Sequence, residues 1–245
     1  MPKHQKRGAA RRAPENLAIH ALLCGCAAEI FLFIVRRYAN GKIAQVVIWN
    51  ERYLPMLAGI GAAILAVGAI WTGLQRGDHL KRMIGLYLCG IGAFVAAVSL
   101  LSIYDLTFLD RLIAIVPVAA FLVIVWGLYD RACAVSLTAL ATGIVSTWLF
   151  SRTMQPFSPY LTLSRVLAVV LLAALAALLY LLWNGTLKKR FLSPGANTLP
   201  LYVSFALTFA GVLASVVNVG AAGYAMWTLA LTAFGLLVYY TVKQI

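Results

Sequence analysis

The sequence predicts an all-α integral membrane protein, a polytopic bundle of about eight transmembrane helices joined by short loops. Three observations predict it. The 245 residues are 63% hydrophobic and only 11% charged, against about 25% charged in a soluble domain, so hydrocarbon must solvate most of the surface. Apolar runs recur along the whole chain, each near the ~20 residues that a helix needs to cross a bilayer. The runs also lack the alternation of membrane-barrel strands. Unsatisfied backbone N–H and C=O groups are too costly in lipid, which leaves only helices or closed barrels, and the run lengths select helices.

Taken in order, residues 1–14, MPKHQKRGAARRAP, are basic and polar and read as a disordered arm ahead of one transmembrane domain over 15–245. The first helix covers about 17–35 and ends at Arg36 and Arg37. The apolar core of the next segment, 43–49, is too short to span and is expected to lie along the interface. The second helix covers 53–74, with Pro55 tolerated in its first turn. The polar turn QRGDHLKR leads to the third, 83–104, and DLTFLDR leads to the fourth, 112–129. Only Asp130 and Arg131 precede the fifth, 132–150, which forces an antiparallel hairpin. The sixth covers 159–184 with Ser158 as its cap. The seventh covers 200–217, and the glycines of NVGAAG turn the chain into the eighth, 224–242.

Charge supports the same reading. The formal net charge is +13, but the Lys and Arg residues lie almost wholly between apolar runs, as in a topology signal. No basic, aromatic-bearing soluble domain exists, so nucleic acid is excluded as a partner. The expected partners are the lipid bilayer, anionic headgroups at the basic arm, and a membrane protein. Most of the basic residues fall on one side if the N-terminus is cytoplasmic; Arg36, Arg37, Lys42 and Arg52 break that pattern. Short loops without an organelle address suggest a bacterial cytoplasmic membrane.

Glu29 is the one acidic residue well inside an apolar run, LLCGCAAEIFLFIV. A charged side chain at mid-span costs roughly 3 kcal/mol on insertion scales, so Glu29 should face protein or water as a hydrogen-bonding carboxyl. Arg165 is the basic residue at similar depth if the sixth helix starts at 159, and the two are expected to meet. Single and double Gln variants would then give non-additive stabilities.

Other residues carry less. His20 and Cys24 share one face of the first helix and Cys26 and Glu29 nearly the opposite one, so no single ion can collect all four. The four cysteines lack metal or redox spacing and read as small buried hydrophobes. The apolar run continues past Cys26 without the polar break of a cleaved signal. The histidines (His4, His20, His79) are too scattered to pair on a haem. No deep base stands near Ser99, Ser102, Ser136, Ser146, Ser204 or Ser215, and phosphate- and dinucleotide-binding motifs are absent. No catalytic, metal or cofactor site is therefore expected, and an enzyme could use only Asp105 and Asp110 at a rim. Trp71, Trp126 and Trp183 end the even-numbered helices, each followed by Gly and Leu and then a basic residue. They read as an interfacial belt and also as marks of a triplicated helical hairpin of the sort that builds transporters.

Two functions remain. The first is a permease or carrier for a small or lipid-like solute, since the interior is too poor in polar groups for a sugar or an ion. The second is a non-catalytic scaffold or assembly subunit of a membrane complex, which needs only packing faces. A water-lined path to Glu29 favours the first; a sealed, hydrogen-bonded Glu29 favours the second.

Overall fold

A computed structural model describes residues 5–75, 79–104, 106–155, 158–185 and 198–244. Helices α1 (Gln5–Ala39) and α2 (Ile43–Ile48) are followed by a π turn, Trp49–Tyr53, that runs directly into α3 (Leu54–Leu74). Then come α4 (His79–Tyr104), α5 (Leu106–Leu128), α6 (Arg131–Thr153), α7 (Leu161–Trp183), α8 (Leu199–Val217) and α9 (Ala222–Gln244). Eight helices are long and apolar enough to cross a membrane. Large side chains such as Ile70, Val169, Leu231 and Phe234 stand exposed along them, as a lipid-facing surface requires.

One expectation needs correcting. The segment 43–49 does not form a separate interfacial piece: Ile43–Leu74 is one 32-residue helical run, because a π turn adds a residue to the winding without breaking the backbone ladder. Helix α1 begins at Gln5. The chain divides into two compact units, residues 24–117 and residues 1–23 with 118–245. The division falls within α1 and within α5, each of which belongs partly to both.

In the 24–117 unit, α3 and α4 pack as an antiparallel hairpin with their backbones in near contact. A Cβ placed at Gly61 would lie 2.6 Å from Ala96 N, and one at Gly68 would lie 2.6 Å from Cys89 N. One at Gly92 would strike the backbone of Leu65. Small residues permit this approach, and in lipid van der Waals packing is what holds helices together. A buried cluster of Leu32, Val35, Leu54, Val98 and Leu109 ties α1, α3, α4 and α5 to one another.

In the other unit α6 is the most enclosed span, half buried where the lipid-facing spans are far less so. It packs on α8 and α9 largely through small and hydroxyl-bearing residues, including Ser136, Ala139, Gly143 and Thr147. The hydroxyls close on carbonyls of their own helix, as in Ser136 to Ala132 (2.8 Å), Ser204 to Pro200 (2.7 Å) and Ser215 to Gly211 (2.7 Å). Thr208 crosses to the Ala139 carbonyl at 3.2 Å. The Tyr202 hydroxyl donates to the Leu182 carbonyl at 2.8 Å, the oxygen that also accepts from the Gly185 N–H at 3.1 Å, and so ties α8 to the end of α7. Tyr202→Phe is accordingly expected to lower stability by about 1 kcal/mol, read as a small drop in thermal midpoint in detergent; an unchanged midpoint would show that bond to be idle.

Candidate functional site

The 24–117 unit gathers the polar groups that the fold leaves unsatisfied. On α1, Leu32, Val35 and Ala39 are buried at helical spacing. This is the face expected of an apolar helix with Ala, Leu and Val recurring at three- and four-residue steps. Glu29 lies one turn before Leu32 and is half-buried. Its Oε1 is sealed from solvent and has no hydrogen-bond partner.

Three other buried side-chain atoms share that condition among the described residues: Trp49 Nε1, Asn50 Oδ1 and Ser99 Oγ. All four are in the 24–117 unit. Leaving such a group unpaired costs about 1–3 kcal/mol each. Neighbouring hydroxyls in the same unit do find acceptors: Ser102 donates to the Val98 carbonyl and Thr72 to the Gly68 carbonyl, both at 2.7 Å. Trp49 and Asn50 open the π turn, and single π turns recur at functional sites because they displace side chains from the helical register. The Trp49 ring stacks on Tyr38 at 4.6 Å, which anchors the turn to the end of α1.

An ion pair sets the register of α1 against α5: Arg36 Nε meets Asp110 Oδ1 at 3.0 Å. Seven residues back along α1 is Glu29, and seven residues forward along α5 is Pro117. Pro117 lies inside α5 and has no N–H, which deprives the Ile113 carbonyl of its ordinary donor. Ile113 itself packs against the cluster containing Leu32 and Val35.

Between them, α1 and α4 enclose a groove of about 500 Å³. Ala27 and Ala28 form one wall, Gly90 and Ile91 the other, and no charged side chain lines it. Phe31 and Phe94 close one end, their ring centroids 6.2 Å apart. A second, more open groove of about 710 Å³ lies between α3 and α4 and is flanked by Arg82.

The residues singled out from sequence fall as follows. Trp71, Trp126 and Trp183 sit at the ends of α3, α5 and α7 and are all exposed; Trp126 Nε1 also donates to Thr138 Oγ1 at 3.0 Å. Arg165 is exposed on α7, in the other unit. Cys24 and Cys26 are exposed and Cys133 is buried. Asp105, offered for an enzyme reading, lies outside the described residues. Sequence reasoning missed Trp49, Asn50 and Pro117 and named Ser99 only as a serine without a base; the proline inside an apolar run was a signal that could have been found. The chain matches no known protein family, no curated protein and no solved structure.

Proposed function

We propose that this chain is a carrier for a small or lipid-like solute, coupled to proton movement through Glu29. The observation that supports it most is the Glu29 Oε1 atom, buried without a partner in a span. A carboxyl that only held helices together would be expected to have its hydrogen bond made. Ionisable residues inside spans mark substrate pathways and proton relays in pumps and transporters. The scarcity of polar groups in the groove and spans turns the solute toward lipid-like chemistry. The same proposal puts the protein in a cell membrane with the N-terminus cytoplasmic, its basic arm against anionic headgroups.

The test is proton movement in proteoliposomes made with lipid extract from the host membrane. Wild type should collapse an imposed pH gradient about tenfold faster than Glu29→Gln, a barrier difference near 1.4 kcal/mol. Equal rates would remove Glu29 from any transport role. The scaffold reading draws on the other unit, where the α6 hydroxyls are bonded and the core is closely packed. Stoichiometric co-purification of a second membrane protein, with no proton flux, would favour it.

A further inference from the structure

We propose that the groove between α1 and α4 binds a single alkyl chain of a lipid-like solute. This rests on the carrier reading for its role, while chain binding itself is independent of proton coupling. Depth is the first argument. Tyr87, at one end of the groove, lies seven residues inside the span that starts at Leu80, and Val95 lies eight residues inside its other limit at Ile103. At 1.5 Å per residue, each end is about 10–12 Å from the edge of the span. Whatever fills the space must therefore be soluble in hydrocarbon.

Shape is the second argument. The walls run from Tyr87 to Val95, about 12 Å along the helix axis, and Phe31 and Phe94 stop the groove at one end. A partner helix, about 10 Å across with its side chains, needs an uninterrupted stripe along the span. A single chain needs only this furrow. The volume of about 500 Å³ falls within the roughly 300–1,000 Å³ of sites that take one small ligand.

Glycine placement is the third. On α4, Gly85 and Gly92 are required, because a Cβ at either would collide with α3. Gly90 has no such excuse: nothing lies within 4 Å of where its Cβ would be. Gly59, Gly73, Gly223 and Gly235 have the same open space, so what distinguishes Gly90 is its place in the groove lining. What it does is keep the wall of the groove flat where Ala27 and Ala28 face it across the gap.

Full-length protein in liposomes would be irradiated with a palmitate analogue carrying a diazirine at mid-chain, and the labelled residues located by mass spectrometry. Labels should concentrate on the α1 and α4 walls, saturate, and be displaced by unlabelled palmitate. Gly90→Leu, whose Cβ meets nothing within 4 Å, puts a side chain into the groove and should cut that labelling about tenfold while leaving the thermal midpoint at or above wild type. Gly59→Leu, also at a glycine with open space around it, should label like wild type. Labelling spread evenly over exposed spans, undisplaced by palmitate, or unaltered in Gly90→Leu would overturn the site and leave only boundary lipid. Saturable labelling together with identical proton flux in wild type and Glu29→Gln would keep the site and sink the carrier.

Discussion

Gly92→Ala is expected to unfold the detergent-solubilised protein at a clearly lower temperature, with a loss of about 3 kcal/mol, the upper range for overpacking. The added methyl meets the Leu65 backbone and lies 2.8 Å from the Gly61 carbonyl oxygen. No side chain can rotate away to admit it, so α3 and α4 must separate. Separation also loosens the contacts of Gly61 with Ala96 and Gly68 with Cys89, which belong to the same seam. Gly90→Ala, on the same helix two residues earlier, supplies the control. Its Cβ meets nothing, and replacing glycine by alanine in a helix gains up to about 1 kcal/mol. Thermal unfolding of the two variants side by side therefore predicts opposite signs. If Gly92→Ala matched Gly90→Ala, the hairpin could not be held by close backbone approach.

These two glycines also show what the sequence made legible and what it did not. Eight spans could be read because hydropathy over some twenty residues depends on composition, and neighbours change it little. Spacing of small residues was less informative. Gly92 with Ala96 and Ala139 with Gly143 do face neighbouring helices. Ala173 with Ala177 has the same spacing and is exposed, as is Gly59 with Ala63. Four-residue spacing establishes that two residues share a face and says nothing about what lies opposite. The π turn was hidden for a similar reason: WNERY reads as a polar interruption, yet its backbone stays helical and lengthens the second span beyond the apolar run. For the site, the identity of Glu29 was legible from charge inside an apolar stretch, whereas its setting was not. Its sealed, unpartnered Oε1 depends on what other helices place around it, which residues far apart in the chain decide.

Glu29→Leu is expected to raise stability while abolishing the proposed proton flux, and this pairing of opposite effects separates the two functional readings. On the insertion scale a mid-span leucine is slightly favourable and a charged residue is unfavourable by roughly 3 kcal/mol. The sealed Oε1 of the wild-type carboxyl makes no hydrogen bond that would offset that cost. Leucine adjoining Leu32 would extend the buried face of α1 and relieve the unpaired atom, so the midpoint of thermal unfolding should rise by several degrees. Residues that cost stability and persist are the ones a working site retains. A scaffold makes the contrary demand: there the carboxyl would serve as interhelical glue, and its loss would lower the midpoint by the worth of a hydrogen bond between spans, about 0.6–2 kcal/mol. The sign of one melting shift thus decides between them. Glu29→Gln tests the same point without a change of shape, since an amide keeps the hydrogen-bonding capacity and cannot release a proton. It should melt near wild type and still fail to carry protons, which no purely structural role for Glu29 would produce.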